Sequence, residues 1–470
     1  MNFDKINNIF FIGIGGIGMS AIARYFRFLG KNVYGYDRTE TELTKNLAAE
    51  GMQITYEDSP NFVPENIDLV VITPAIPKNS QIWAHCQQAN FTIKKRAEVL
   101  GIISQNRRCL AVAGTHGKTS TSSLLAWLLH RAGLNPSAFL GGIAENFKSN
   151  FINGNSDWVV AEADEFDRSF LHLHPEMLIL TSVDADHLDI YGTDAEVKAS
   201  YAQLVQQIKP NGTLVIQQNA LQEVKNLLPK DYFYHNNINV ISYNADETKE
   251  FWDGQNNVFA KGLKTANGEM IFNYETDKYA EENLVFSQAG LHNVENATAA
   301  LTIASLCGAK WEDLRAGLIE FKGISRRFEW ILKTDNQLFV DDYAHHPTEL
   351  NAAIATTRFL YPEKKLTAVF QPHLYSRTRD FVDGFAASLD LADEIILLDI
   401  YPARELPIEG VSSQIIFDKM KNPNKILIKK SELLTHLEAR KPDFLLTMGA
   451  GDIGAMVGGI KQLLINSKKG

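Results

Sequence analysis

The stretch "AVAGTHGKTS", Ala111 to Ser120, runs from an apolar segment into a Gly-Lys-Thr triplet. The general phosphate-loop pattern G-x-x-x-x-G-K-[ST] would place its first glycine at Val112, but the nearest upstream glycine is Gly114, two positions late. Two readings are open: a shorter nucleotide loop, or a helix start that happens to spell Gly-Lys-Thr. The context favours the loop. "RCLAVA" predicts a strand before it, and "KTSTSSLLAWLLHRAG" predicts a helix that stops at Gly133. In a loop, Gly114 and Gly117 let backbone N–H groups turn tightly around an anion. Lys118 then reaches the outer phosphates and the Thr119 hydroxyl can ligate Mg²⁺.

Working outward, a magnesium nucleotide needs further oxygen ligands, and two segments offer them. "DWVVAEADEFD" is an apolar strand ending in Glu162, Asp164, Glu165 and Asp167; "LILTSVDADHLDIYG" ends in Asp184, Asp186, His187 and Asp189. At the carboxyl ends of strands in the loop's own sheet, such groups would face phosphates. Otherwise they are solvated acidic loops.

The strand-turn-helix pattern occurs twice more. "NIFFIGIGGIGMS" carries Gly13, Gly15 and Gly18, with Asp37 ending the next strand. This spacing is that of a dinucleotide site, yet the physics admits any nucleotide diphosphate, a UDP-sugar included, or a purely structural turn. The same spacing at Gly449, Gly451 and Gly454 reads as structural. Alternating strands and helices of this kind predict an α/β protein with parallel sheets.

The totals narrow the class. A chain of 470 residues exceeds one core and suggests about three domains. With 46 basic against 56 acidic residues the net charge is −10, which argues against a nucleic-acid partner but leaves room for small anions. Cys86, Cys109 and Cys307 share no metal-type spacing and fit a reducing compartment. The N-terminus lacks a signal-peptide pattern and no run of 18 apolar residues occurs, so a cytoplasmic protein without a membrane span is expected.

Other polar clusters sit at predicted element ends. "GLHNVENATAA" opens a helix with His292, Asn293 and Asn296; "GISRRFEW" places Arg326 and Arg327 at a domain junction, where a guanidinium could clamp phosphate. "LFVDDYAHHPTE" ends a strand in Asp341, Asp342, Tyr343, His345 and His346; the adjacent histidines point different ways and should not share a metal. In "VFQPHLYSRTRDF", His373, Arg377 and Arg379 could hold a small carboxylate, or the arginines are surface ion pairs.

In order, "FIGIGGIGMS", "GTHGKTS", "EADEFDRSFL", "DADHLDIYG", "GLHNVENA", "RRFE", "DDYAHHPTE", "FQPHLYSRTRD" and "GAGDIG" resemble the motifs of the Mur ligases, from about residue 9 to 460. The branch most resembled joins L-alanine to UDP-N-acetylmuramate with ATP in peptidoglycan synthesis, through an acyl phosphate. The resemblance implies a Rossmann-like UDP-substrate domain (1–106), a central P-loop ATPase-type domain (107–323), and a Rossmann-like C-terminal domain (324–470) that binds the amino acid and closes over ATP. Gly114, Thr115, His116, Gly117, Lys118, Thr119 and Ser120 are implied to cradle ATP, with His292, Asn293, Asn296, Arg327 and Asp342 or Asp341 as further contacts. Thr119, Glu162 and His187 resemble ligands of two Mg²⁺ ions; Lys118, Glu162, His187, Arg327 and His345 are the implied catalytic groups. Gly15, Gly16, Ile17, Gly18, Met19 and Ser20 are implied to hold the UDP diphosphate, with Asp37 and Thr73 toward the uridine; Tyr343, His345, His373 and Arg377 are implied for the amino acid. A monomer or weak homodimer is expected.

The chain departs from the family in three places. Leu374 stands where Arg is common, Phe166 where Ser is frequent, and Thr73 to Pro77 replace a common Ser-Ser-Ala-Ile. Lys198 is not assigned the carbamylated-lysine role found in other branches. Rival expectations are a ligase adding a whole tripeptide to the same UDP-sugar, an NAD-dependent dehydrogenase, and a non-catalytic nucleotide-binding regulator.

Overall fold

The computed structural model describes residues 1–466 apart from 2, 75, 78, 106, 187, 246–255, 267, 335 and 404. Three sheets follow one another along the chain. The first comprises β1 (Asn8–Ile12), β2 (Asn32–Tyr36), β3 (Gln53–Thr55), β4 (Leu69–Ile72) and β5 (Ile93–Lys95), parallel in the order β3-β2-β1-β4-β5. The chain reverses its progress across the sheet beside β1, so the turn after β1 lies at a topological switch point.

The second sheet has ten strands in the order β15-β14-β13-β12-β11-β10-β6-β9-β7-β8. They are β6 (Arg108–Ala113), β7 (Ser137–Ala144), β8 (Ser149–Ile152), β9 (Trp158–Glu162), β10 (Met177–Leu180), β11 (Thr213–Gln217), β12 (Asn239–Asn244), β13 (Asn256–Ala266), β14 (Glu269–Thr276) and β15 (Ala280–Phe286). β6 is parallel to both β9 and β10. The "AVAGTHGKTS" loop therefore leaves the sheet between the two acidic segments. Residues 211–285 carry the helices Gln218–Lys225 and Tyr232–His235 between parallel strands. Their Asn and Asp residues mark turns, Asn211, Asp231 and Asn237 all having positive φ.

The third sheet comprises β16 (Glu329–Lys333), β17 (Leu338–Asp342), β18 (Leu366–Phe370), β19 (Glu394–Leu398), β20 (Lys425–Ile428) and β21 (Phe444–Met448), ordered β16-β17-β21-β18-β19-β20. Only β16 is antiparallel. Strands such as "LFVDD" and "FLLTM" are buried throughout because helices cover both faces of a parallel sheet.

By compactness the chain forms two units: residues 1–263, 271–287 and 295–322, and residues 264–270, 288–294 and 323–470. The first two sheets share a unit because α1 (Ile17–Phe28) serves both. Met19 to Phe26 are all buried, and the Tyr25 ring packs 5.7 Å from Phe139 and 6.1 Å from Phe151 of the second sheet. Arg24 bridges the same seam, bonding Glu50 at 2.7 Å and also Asn150. Each such aromatic contributes roughly 1.5–3 kcal/mol by burial.

Candidate active site

After β6 the chain turns within the space of two glycines. Gly114 has φ +131° and Gly117 φ +79°, a region that disfavours side chains. A Cβ at Gly114 would overlap the Thr181 hydroxyl, and one at Gly117 would lie 2.6 Å from Asn296 Oδ1. The loop thus lies against the β10 end on one side and the helix Leu291–Leu306 on the other. Thr115 donates to the Asp184 carbonyl at 2.8 Å, and the His116 N–H to Ser182 Oγ at 3.0 Å. Lys118 begins the helix Lys118–Arg131, with Gly117 as N-cap and no side-chain cap bond. An uncapped helix N-terminus of this kind is built for an anion.

Lys118 curls back over the loop. Its Nζ donates to Gly114 O (2.6 Å), Thr115 O (3.0 Å) and Glu165 Oε1 (2.9 Å), which uses all three ammonium protons. Burial disfavours its charge, but the Glu165 carboxylate outweighs that and holds the ammonium above the usual lysine value. Thr119 donates to Glu162 Oε1 at 2.9 Å. The other Glu162 oxygen accepts from the Gly141 N–H at 2.8 Å and from Ser122 at 3.3 Å. A Cβ at residue 141 would overlap this carboxylate. Thr119 and Glu162 are hard oxygen donors side by side, which suits Mg²⁺, an ion that takes few protein ligands and keeps its waters and phosphates. Among the described residues no cluster of three His, Cys, Asp or Glu side chains is gathered at metal-binding distance. His187, expected as a second magnesium ligand, lies outside the described residues.

The first glycine turn is shaped by its own protein. Gly13 has φ +85° and donates to Tyr36 O at 2.8 Å; Gly15 N–H donates to Asp37 Oδ2 at 2.8 Å. Asp37, expected at the uridine side, thus fixes the turn. Thr73 lies against Gly13. Gly16 is the N-cap of α1, again without a side-chain cap bond. Met19 and Ser20 are buried; the Ser20 hydroxyl bonds Ile17 O and Asn150, and its N–H donates to Gly16 O at 2.9 Å, so neither side chain faces a diphosphate. Arg96 lies over the first turn, close enough that a Cβ at Gly18 would meet its Cδ at 3.0 Å.

In the second unit, β17 delivers two buried aspartates. Asp341 accepts from Arg326 Nε (2.8 Å) and Thr447 Oγ1 (2.6 Å). Asp342 accepts the N–H groups of Phe328 (2.9 Å) and Ala344 (2.7 Å), and burial pushes its carboxyl up to about 7. The Tyr343 ring lies 5.2 Å and 5.3 Å from the Arg326 and Arg327 guanidinium carbons. His345 Nδ1 is 3.0 Å from Tyr343 O and 3.2 Å from Glu349 Oε2. Burial pulls this imidazole down to about 4, so it is neutral at pH 7. With two acceptors beside Nδ1, the proton belongs there and Nε2 is left an acceptor. Glu349 also receives Arg327 at 3.5 Å. The His373 ring is 6.1 Å from His345 and stacked on Tyr401, and Arg377 is buried on the short helix Tyr375–Asp380. The adjacent histidines do diverge: His346 caps the helix Pro347–Leu360 through Thr348 N–H, against the edge of Phe381. Burial likewise pulls His292 down to about 4, while Asn293 donates to Ala289 O at 2.6 Å.

The third glycine turn is filled by protein, as its structural reading requires. Arg326 donates to Gly449 O at 2.7 Å, and a Cβ at Gly454 would lie 2.5 Å from its Cζ. Glu165, Glu349 and Gly141 carry geometry that sequence reasoning left unassigned. Glu165 sits in the quoted acidic run, and Glu349 is one helical turn beyond His345, so both had a local signal. Gly141, from a strand distant in sequence, had none.

Three family profiles match the chain: the Mur ligase family, catalytic domain, over residues 8–108; the Mur ligase middle domain over 112–304; and the Mur ligase, glutamate ligase domain, over 326–451. A UDP-N-acetylmuramate–L-alanine ligase of Flavobacterium johnsoniae is 45% identical over 469 residues, covering 99% of each chain. That of Flavobacterium psychrophilum is 46% identical over 468 residues, again 99% of each. Among solved structures, the UDP-N-acetylmuramate-alanine ligase of Thermotoga maritima superposes with a TM-score of 0.78 at 25% identity, over 98% of this chain and 99% of that one.

Proposed function

Because the chain belongs to the Mur ligase family, we propose that it catalyses ATP + UDP-N-acetylmuramate + L-alanine → ADP + phosphate + UDP-N-acetylmuramoyl-L-alanine, a step of peptidoglycan synthesis. Full-length identity to alanine-adding relatives carries this, and the loop between two acidic strands supplies its chemistry. A carboxylate is a poor acyl donor because oxide leaves badly. Transfer of the γ-phosphoryl group breaks its bond to ADP and forms an acyl phosphate. The alanine nitrogen lone pair then attacks the acyl carbon; the C–N bond forms, the C–O bond to phosphate breaks, and the amine proton passes to solvent.

Both steps crowd negative charge, so catalysis rests on placed cations and N–H dipoles, with no protein nucleophile. The loop from Gly114 to Ser120 cradles the nucleotide phosphates, with the N–H groups at the start of its helix turned to them, and Lys118 exchanges its Glu165 contact for the transferred phosphoryl oxygens. Thr119 and Glu162 would hold Mg²⁺, and His187, by the family resemblance, would hold a second ion; when bound, the metal would neutralise phosphate charge. His292, Asn293, Asn296, Arg327 and Asp342 complete the nucleotide contacts. Gly15 to Ser20 meet the UDP diphosphate, with Thr73 and the Asp37-fixed turn toward uridine. Tyr343, His373 and Arg377 receive the alanine, Arg377 its carboxylate, and neutral His345 offers Nε2 to the amine. The roles partition as 1–106 for the UDP-substrate, 107–323 for ATP and 324–470 for the amino acid. We place the enzyme in the cytoplasm as a monomer or weak homodimer.

Phosphate release from ATP with the UDP-sugar and each amino acid in turn tests the assignment. Turnover with L-alanine is expected; turnover with a tripeptide but not alanine would move the chain to the tripeptide-adding branch. A dehydrogenase built on Gly13, Gly15 and Gly18 would leave the Lys118 loop and Glu162 without a role.

A further inference from the structure

The first glycine turn and the phosphate loop are joined by a short chain of charges. Lys95, the last residue of β5, and Arg96, the first of the helix Arg96–Gln105, reach into the acidic segment after β9: Lys95 Nζ is 3.2 Å from Asp167 Oδ2, and Arg96 Nη2 is 3.2 Å from Asp164 Oδ2. Between those acids lies Glu165, whose carboxylate is 4% exposed and takes one of the three Lys118 protons. The segment these pairs hold is conformationally costly: Asp167 and Arg168 both have φ +53°, which non-glycine residues rarely adopt. At its other end Arg96 lies across the first turn of α1, its Nη1 within 3.1 Å of where a Gly18 Cβ would be.

We propose that Arg96 couples UDP-substrate binding to ATP binding. It exchanges Asp164 for the substrate diphosphate at the α1 N-terminus, which loosens the 164–167 segment and releases Lys118 from Glu165. The proposal rests on the placement of the UDP diphosphate at Gly15 to Ser20. A doubly charged diphosphate competes well for Arg96, since Asp164 is 42% exposed and its pair is screened by water. A lysine with all three protons engaged cannot donate to phosphate until one contact yields. Coupling is reciprocal, so the ATP site must favour the diphosphate by the same factor.

Calorimetric titration of the full chain with UDP-N-acetylmuramate and a non-hydrolysable ATP analogue, each alone and in the presence of the other, tests this. In the wild type each ligand should tighten the other by roughly five- to tenfold, a usual size for coupling. In Asp164→Asn the analogue should bind without the UDP-sugar as tightly as it binds wild type with it, and coupling should vanish. In Arg96→Gln, which carries the test if Asp164→Asn does not fold, UDP-sugar affinity should fall while analogue affinity alone rises. A merely structural role would not improve nucleotide binding. Equal coupling in wild type and both variants, or no coupling in a wild type that binds both ligands, would overturn the proposal. Failure of the wild type to bind the UDP-sugar would instead overturn the functional reading beneath it.

Discussion

Lys118 illustrates how one side chain is set by several remote parts of the sequence. Its partners come from its own loop and from Glu165, 47 positions on. Removing it takes a full charge from the transferring phosphoryl group, an effect of order 10²–10³ for a single placed donor. Lys118→Ala is therefore expected to lose at least about a hundredfold in phosphate release while calorimetry still shows UDP-sugar binding, because Gly15 to Ser20 are untouched. Loss of both together in a folded variant would mean that the roles are partitioned wrongly. Gly141→Ala tests the acid: the new methyl must displace Glu162, so activity should drop and the Mg²⁺ concentration for half-activity should rise. An unchanged Mg²⁺ requirement would separate Glu162 from the metal. The lysine and the acid were both visible in the sequence; the glycine that fixes the acid was not, since nothing local marks residue 141.

At the scale of elements, the end of β17 and the helices beside it bury three titratable groups whose effects oppose. His292 and His345 have folded values of about 4 against an ordinary 6.5. Between those values the unfolded chain binds more protons, so their contribution is complete above about 6.5 and is lost as pH falls toward 4. Asp342, raised to about 7 from 3.8, does the reverse: its contribution is present at low pH and is lost as pH rises through 7. Denaturant unfolding between pH 4.5 and 6.5 should therefore gain stability with pH in the wild type. His345→Gln should flatten that slope by about one proton and Asp342→Asn should steepen it by about one. Parallel slopes in all three proteins would contradict these environments. The sequence placed the strand-ending acids and the divergent histidines, but which aspartate meets Arg326 and which meets backbone N–H depends on β17 lying between β16 and β21.

At the scale of the molecule, three sheets resolve into two compact units, which implies two unfolding events with different ligand dependence. In scanning calorimetry the UDP-sugar at about a hundred times its dissociation constant should stabilise the unit holding residues 1–263 by about 2.7 kcal/mol. That raises its transition by roughly 5 °C, whereas the transition of the unit holding 323–470 should stay in place. One transition that moves as a whole would show that the units unfold together.

The fold class and the three strand-turn-helix repeats were determined by the sequence alone. Glycine spacing, apolar strands and terminal acids are local consequences of backbone geometry, and the displaced glycine at Gly114 was enough to distinguish this loop from the general pattern. Tertiary structure decided what local chemistry leaves open. It merged the first two sheets through α1, because a helix apolar around most of its girth must bury both sides, and it turned Asp37 inward to fix its turn. It also set Glu165 on Lys118 and Arg96 between the α1 turn and Asp164, contacts fixed by strand order across a sheet and invisible to any window of sequence.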